Sequence, residues 1–499
     1  MDFEYIIVQA GGKGTRLDYL TRNKPKALVS VDNLPMIFHL FRLFPNKKFI
    51  IIGDYKIDVI KKYMSVFSTV SYIIVDAQGK PGTCGGIQSA LKLIPEDAPF
   101  LLIWSDLILS EKFTLPQKLD NYIGLTNEFM CRWIYENGVF SESPSDTNGV
   151  AGFFLFKNPL EISNVPYEGE FVRWLCESKK DFSTFNLTQI KEYGVLSEYQ
   201  KIKPNICRPF NEISEHDGKL VKKGIDATGK ELAIKERMWY KKANEYGFKK
   251  IPEIYKYEPL VMEKVEGKNI FDYDLTFDEK LKLLEKIVDL LKSIHALEST
   301  TVDHISIQEA YVYKTWQRLK KVREIIPFSD KSYININGKK CPNIYIHWDK
   351  VEAFFEKYSI NQFSFIHGDP TFSNIMLKNS TEPVLIDPRG YFGNTLLFGD
   401  EHYDYAKLYY SIKGNYDRFN RKEFNLSINP DGVELSVHSN NWDMLEEHFF
   451  SLLPERISQE NIKWIHAVIW LSLTTYAWDD FDSICGAFYN GLYYLEELL

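Results

Sequence analysis

The chain has 499 residues, and at the usual ~150 residues per core that means about three folding units. Hydrophobic residues make up 44%, aromatics 15% and charged residues 26%, a globular composition that excludes a largely disordered chain. With 60 basic and 68 acidic side chains the net charge is −8, which argues against a general nucleic-acid or anionic-membrane binder.

No run reaches the ~18 apolar residues of a membrane span. The nearest, residues 464–478, contains His466 and reads as a buried helix. The opening MDFEYIIVQAGG has no basic stretch and runs straight into a strand, so no signal peptide is expected. The six cysteines are scattered, with no CxxC pair. This is the usage of a reduced, cytoplasmic protein without structural zinc.

Residues 1–110 alternate short apolar runs with amphipathic stretches. Tyr5–Val8, Lys48–Ile52, Tyr72–Val75 and Phe100–Ile103 read as strands, and Pro35–Leu43, Ile57–Phe67 and Gly85–Leu93 as helices. Strand–helix repetition at this spacing predicts a parallel α/β sheet covered on both faces, with residues 150–157 and 170–202 completing the domain. The two prolines of KPNICRP, residues 203–209, mark a linker. The expected domains are therefore 1–205 and 206–499. In the second, Asp217-Gly218 joins two short runs as a hairpin turn would, a helix follows over Glu231–Tyr246, and a strand pair over 254–257 and 260–265. Asp278–Leu297 and most of the chain after Trp442 read as helix. The second domain is thus α+β, with a small β-rich lobe over about 206–265 and a larger helical lobe over about 266–499.

A glycine-rich loop, QAGGKGTRLDYLTRNKPKAL, follows the first strand directly. Gly11, Gly12 and Gly14 let the backbone approach phosphates and aim N–H groups at them. Thr15 and Arg16 follow at once, Lys26 stands behind Pro25, and Arg16 and Lys26 supply charge to neutralise a triphosphate. The loop lacks the GKS or GKT of a P-loop and the acidic partner of a dinucleotide fold.

These residues resemble the nucleotidyltransferases that make nucleotide-activated sugars and alcohols, and the resemblance implies a Rossmann-like sheet. GTCGGIQSAL, with Gly82 and Thr83, is similar to the segment that packs on the base and ribose in that family. LLIWSDLIL puts Asp106 at the end of an apolar strand, where the family keeps a magnesium-binding aspartate; a turn or helix-cap role is the plainer alternative. IKEYGVL resembles the family's late segment with an acid two residues before a glycine, which implies Glu192 as the second metal ligand; a solvated strand-end glutamate is the alternative. The implied reaction is in-line attack by a substrate phosphate on the α-phosphate of a nucleoside triphosphate, releasing pyrophosphate. Members using sugar 1-phosphates carry a Glu-Lys-Pro segment. Here Glu142-Ser143-Pro144 has serine in the lysine position, which departs from the hexose 1-phosphate pattern and leaves room for a smaller or differently held phosphate ester.

In the second half, FIHGDPTFSNIML is followed by VLIDPRGYFG, so Asp369, Asn374 and Asp387 fall at short offsets between apolar runs. A kinase needs one carboxylate for the acceptor hydroxyl and an Asn and an Asp for magnesium ions on the triphosphate. The pattern resembles the choline kinase and aminoglycoside phosphotransferase group. That resemblance implies Asp369 as the catalytic base or hydroxyl-orienting residue and Asn374 and Asp387 as Mg²⁺ ligands. His367 shapes the loop rather than transferring protons. Lys222 contacts the α- and β-phosphates and pairs with Glu236, with Lys223 as a rival because alternation points one of the two inward. LVMEKVEG, Leu260 to Gly267, resembles the hinge between lobes, where the backbone of Met262 to Val265 would meet adenine. Arg389 sits near the phosphates or acceptor, or forms a salt bridge to Asp400 or Asp404. YAWDDFD, residues 476–482, lines an acceptor pocket or is a buried helix with polar caps. The IDPRGYFG variant resembles the fructosamine kinase branch, whose acceptors are polyhydroxy compounds.

Together the two resemblances imply consecutive steps. ATP phosphorylates a small sugar or polyol, and a second nucleotide, CTP by analogy, couples to the new phosphate, with Mg²⁺ at both sites. The product is a nucleotide-activated precursor for a surface glycan. Choline or ethanolamine is the alternative acceptor, and a catalytically silent, regulatory domain the alternative outside catalysis. Neither a nucleic-acid partner nor a membrane span is expected.

Overall fold

The computed structural model describes residues 2–202 and 211–499, so the KPNICRP linker lies outside the described residues. The chain divides into two compact units, Met1–Pro204 with Trp478–Asp482, and Asn205–Ala477 with Ser483–Leu499.

The first unit is built on a nine-stranded sheet. Its centre is Tyr5–Gln9, whose Ile6, Ile7 and Val8 are fully buried, as a strand covered on both faces requires. This strand pairs in parallel with Lys48–Gly53 on one side and Phe100–Trp104 on the other, and Lys48–Gly53 pairs in parallel with Ser71–Asp76. The sheet is not parallel throughout. Gly149–Phe156 runs antiparallel to Phe100–Trp104, and Tyr122–Thr126, Cys131–Glu136 and Val139–Ser145 continue the antiparallel half. Residues 131–145 form a hairpin whose turn, Asn137-Gly138, has positive φ at both positions (52° and 80°), a type I′ turn.

The chain leaves the central strand first to one side and then returns on the other. Loops at the carboxyl ends of Tyr5–Gln9 and Phe100–Trp104 therefore diverge, and a crevice opens there, as in other open α/β sheets. The glycine-rich loop and Asp106 follow those two strand ends. The helix Cys84–Leu91 packs closely on the sheet because Gly86 lacks a side chain; a Cβ there would lie 2.3 Å from Ile52 Cγ2.

The second unit opens with a four-stranded antiparallel sheet in the order Asn211–His216, Lys219–Gly224, Leu260–Glu263, Ile254–Tyr257. Asp217 and Gly218 both have positive φ, giving the expected tight hairpin. The helix Ala227–Glu245 starts at Asp226, whose side chain accepts from Gly229 N at 2.7 Å, and packs against Lys219–Gly224. The larger lobe carries Phe277–His295, opened by a Thr276/Glu279 capping box, with Lys314–Val322, Glu401–Ile412 and Gln459–Leu473. It is not wholly helical. Tyr333–Ile336, Lys339–Pro342, Phe424–Asn429 and Gly432–Val437 form a second four-stranded sheet within it.

Candidate active sites

In the first unit, Gly14 (φ +63°) starts the 3₁₀ turn Thr15–Thr21, and a Cβ on it would crowd Thr21 and Lys26 at 3.0 and 3.1 Å. A Cβ on Gly11 would touch Asp54 at 3.0 Å, whereas Gly12 faces open space. The loop thus presents backbone where a ligand can approach. Thr15 and Arg16 are exposed. Lys26 forms an ion pair with Asp106 and lies 3.9 Å from Glu192.

Glu192 arrives by a two-stranded ribbon. Lys191–Glu192 pairs antiparallel with Leu107–Ile108, and Tyr193 N donates to Asp106 O at 3.3 Å. Burial pushes the Glu192 carboxyl up to about 7, and the neighbouring Asp106 charge adds to the rise. Burial opposes charge at Asp106 as well, but Lys26 outweighs it and holds that carboxyl below the usual range. Gly194 makes this approach possible, since a Cβ there would lie 1.9 Å from Glu192 Oε1 and 2.9 Å from Lys26 Nζ.

Among the described residues no group of three or more His, Cys, Asp or Glu gathers as a metal cluster. Two close carboxylates sharing one lysine nonetheless suit Mg²⁺, which takes one or two protein carboxylates and fills its shell with water and phosphate oxygens.

Gly82 and Thr83 bind part of the fold. Gly82 has φ +84°, and a Cβ on it would lie 2.1 Å from Gly169 O. Thr83 N donates to Gly169 O at 2.8 Å, and its hydroxyl accepts from Phe171 N at 2.9 Å. Glu142 is held by Arg132 and by Arg173, the latter at 2.8 Å.

In the second unit Lys222, not Lys223, turns inward. Its Nζ lies 2.9 Å from Glu236 and 2.8 Å from Asp387. Burial raises the Glu236 carboxyl to about 7 despite the lysine. Met262 lies inside the sheet, opposite Leu220 on one side and Ile254 on the other. Met262 and Glu263 end this strand, and the chain leaves the sheet after Glu263, within the expected hinge segment Met262 to Val265.

Asp369 lies 3.0 Å from Lys407. Asn374 Nδ2 donates to the Asp369 carbonyl at 2.8 Å, so its other polar atom is the acceptor Oδ1, the atom type a hard cation takes. His367 is fully buried, accepts at Nδ1 from Asp369 N (3.2 Å) and approaches Ile386 O with Nε2 (3.0 Å). Burial lowers its pKa, which fits a neutral ring donating to a carbonyl. The loop is further fixed by Asp404, which accepts from His367 N at 2.9 Å and Gly368 N at 2.7 Å. From sequence Asp404 stands only as a partner for Arg389, and Lys407 carries no role, although Tyr403, Lys407 and Tyr410 repeat at helical spacing on one face.

Arg389 makes neither anticipated salt bridge. Its Nη1 donates to Tyr403 OH at 2.6 Å and its Nη2 to Tyr391 OH at 3.0 Å, because Asp400 is taken by Tyr311, Tyr358 and His402 and Asp404 by the loop. Arg389 lines a cavity of about 80 Å³ with Lys314, Arg318, Lys407 and several tyrosines. From YAWDDFD, Tyr476 lines this cavity, whereas residues 478–482 group with the first unit.

The model of the nucleotidyl transferase family matches residues 5–131, and that of the phosphotransferase enzyme family matches residues 230–425. The chain carries a nucleotidyl transferase domain followed by a phosphotransferase domain. The nucleotidyl transferase domain is similar to the UTP–glucose-1-phosphate uridylyltransferase AglF of Haloferax volcanii, 32% identical over 21% of this chain and 44% of that protein. It is also similar to mannose-1-phosphate guanyltransferase 2 of Candida glabrata, 30% identical over 21% of this chain and 32% of the relative. The bifunctional protein GlmU of Methanococcus maripaludis is 28% identical over 24% of this chain and 29% of its own length. The chain thus spans less than half of the length of each of these relatives. Among solved structures it resembles HddC from Yersinia pseudotuberculosis, 18% identical with a TM-score of 0.35, over 40% of this chain and 98% of that one. Another is the CTP:phosphocholine cytidylyltransferase LicC from Streptococcus pneumoniae, 18% identical with a TM-score of 0.33, over 40% and 97%. Among the described residues no helix is long and apolar enough to cross a membrane.

Proposed function

We propose that the chain is a bifunctional enzyme in which the phosphotransferase domain phosphorylates a small hydroxyl-bearing acceptor with ATP and the nucleotidyl transferase domain couples a nucleotide to that phosphate. The observation that carries the reading is that each domain holds its own cation–carboxylate cluster, Lys26 with Asp106 and Glu192, and Lys222 with Glu236 and Asp387.

In the first step Asp369 orients the acceptor hydroxyl and takes its proton. The hydroxyl oxygen bonds to the γ-phosphorus, the bond to the β–γ bridging oxygen breaks, and ADP leaves. Lys222, fixed by Glu236, meets the α- and β-phosphates, and Asn374 and Asp387 hold Mg²⁺. In the second step an oxygen of the new phosphate attacks the α-phosphorus of a nucleoside triphosphate and pyrophosphate leaves. The backbone of Gly11, Gly12 and Gly14 receives the phosphates, Arg16 and Lys26 offset their charge, and Asp106 and Glu192 hold the metal. At both sites Mg²⁺ supplies charge neutralisation on the phosphate oxygens.

The acceptor is read as a sugar or polyol and the nucleotide as CTP, giving an activated precursor for surface glycan synthesis in the cytoplasm. Both clusters keep their charged members, which speaks against a silent regulatory domain. The test is pyrophosphate release by the full chain with each of four nucleoside triphosphates and a panel of free acceptors, with and without ATP. Release from a free acceptor should require ATP, vanish in Asp369→Ala and return when the acceptor phosphate is supplied. Release that ignores ATP, or that the phosphate does not restore, refutes the two-step reading.

A further inference from the structure

The cavity beside Asp369 is formed by the larger lobe of the phosphotransferase domain. Its wall comes from Lys314–Val322, Glu401–Ile412, Gln459–Leu473 and the segment after Asp387, and no residue of the four-stranded sheet that carries Lys222 lines it. With no lining residue from that sheet, the cavity suits an acceptor rather than the nucleotide that Lys222 is proposed to meet. Two links tie it to the catalytic loop. Lys407 lines the cavity and pairs with Asp369 at 3.0 Å, and Arg389 N donates to His367 O at 2.9 Å.

Four cationic side chains line this space, Lys314, Arg318, Arg389 and Lys407, and no carboxylate does. Of these, Lys407 alone has an ion pair among the described residues, with Asp369. Arg318 donates to neutral partners, the Ser472 carbonyl at 2.8 Å and its hydroxyl at 2.7 Å. Arg389 donates to two tyrosine hydroxyls. Lys314 stands one helical turn before Arg318, half-buried, with no carboxylate in ion-pair reach among the described residues. Gathering like charges in a partly desolvated space is costly unless an anion completes the site. An independent observation points the same way. The hydroxyl of Tyr410, a residue 1% exposed that lines the cavity, has no hydrogen-bond partner. Buried hydroxyls are normally satisfied, so this one is open to a polar ligand atom. Burial, with Arg389 and Arg318 nearby, also holds the Lys314 ammonium down to about 7, as expected of a cation short of a counter-ion.

We propose that the acceptor carries an anionic group, a carboxylate or a phosphate ester, besides its reacting hydroxyl, and that Lys314, Arg318 and Arg389 hold that group while Lys407 and Asp369 receive the hydroxyl. The inference rests on the kinase reading above and narrows its substrate class to hydroxy acids and phosphorylated polyols. It argues against choline and ethanolamine, because the four cations of this wall, seated over tyrosine rings, oppose a positive acceptor.

The test uses the full chain and matched probes: glycerol, D-glycerate, glycerol 3-phosphate, glucose, gluconate and choline. Binding is followed by calorimetry without ATP, and ADP formation with ATP and Mg²⁺. The anionic probes should bind, with glycerate and gluconate separating the carboxylate from the phosphate source, while glycerol, glucose and choline should not. Lys314→Gln and Arg318→Gln should each weaken anion binding by about 10- to 100-fold, the loss expected for one charge-assisted contact. The KM for ATP should stay unchanged. Phosphorylation of choline or a neutral polyol in preference to every acid probe overturns the anionic acceptor and leaves the kinase reading standing. Failure of all acid probes to bind, or equal binding to the variants, also overturns it. Anion binding that depends on Lys314, with no ADP formed from any probe, supports the site and counts against the kinase reading instead.

Discussion

Lys407 reaches the carboxylate of Asp369 at 3.0 Å from the middle of the helix Glu401–Ile412, one turn after Asp404, which grips the backbone of the same loop. One helix face therefore fixes both the loop that carries the proposed base and the direction in which its carboxylate points.

The first prediction follows from this pairing. In Lys407→Met the loop keeps its Asp404 anchor, but Asp369 loses the cation that orients it. ADP formation should fall by about 100-fold, a loss typical of one placed electrostatic contact. Pyrophosphate release from a ready-made acceptor phosphate should be unchanged, because that reaction is proposed to use Lys26, Asp106 and Glu192. Equal loss of both activities in steady-state assays would contradict the assignment.

The second prediction concerns Gly194. Its backbone is not in the left-handed region, so alanine is conformationally allowed, but the new Cβ would overlap Glu192 Oε1 (1.9 Å) and press on Lys26 Nζ (2.9 Å). Both are ends of flexible side chains, so the fold yields by moving them. Gly194→Ala should leave the thermal midpoint within a few degrees of the parent, as a change of about 1 kcal/mol implies. Pyrophosphate release should drop at least about tenfold as the two carboxylates separate. Differential scanning fluorimetry and a pyrophosphate assay on the same sample check both halves.

The sites were unequally legible in the sequence. Short apolar runs announced the parallel strands because a strand covered on both faces must be apolar throughout. The antiparallel strands over residues 131–145 were missed, although Asn137-Gly138 between alternating residues is a strong local hairpin signal. Strand alternation alone left Lys222 and Lys223 open; the structure decides for Lys222 through Glu236 on the following helix and Asp387 far along the chain. Glu192, the loosest reading of the first site, does arrive beside Asp106, but through a ribbon of two-residue strands that no periodicity could reveal. Lys314 and Arg318 match no motif, because their unusual feature is the company they keep in space.

The third prediction separates structural from ligand-facing glycines. Gly82 sits at φ +84°, and a Cβ there would lie 2.1 Å from the Gly169 carbonyl oxygen and 2.9 Å from Glu170 N, both backbone atoms that cannot swing away. Gly82→Ala should destabilise the nucleotidyl transferase domain by about 3 kcal/mol or more, combining left-handed strain with steric overlap. Gly12→Ala meets nothing within 4 Å. It should fold like the parent, and its effect should appear instead as a raised KM for the nucleotide. Urea unfolding and nucleotide titration of the two variants distinguish the cases.

The fourth prediction is a pH dependence of stability. His466 is 1% exposed, accepts from Trp470 Nε1 at 3.1 Å through Nε2, and packs against Tyr409, Tyr410 and Tyr494. Burial, with a smaller contribution from Lys413, moves its pKa down from 6.5 to about 3, so the folded protein keeps the ring neutral. Below pH 6.5 the unfolded chain binds a proton that the folded chain refuses. Stability is then unaffected above that pH and declines below it, by up to about 1.4 kcal/mol per pH unit until pH 3. His466→Gln keeps an acceptor for Trp470 and removes the titration. Thermal midpoints of the full chain measured between pH 7.5 and about 5 should fall less steeply in the variant than in the parent. Some slope should persist, because the buried and neutral His367 acts in the same direction. Parallel profiles for the two proteins would show that His466 takes up its proton in the folded state, which would require that the helix Gln459–Leu473 opens to water there.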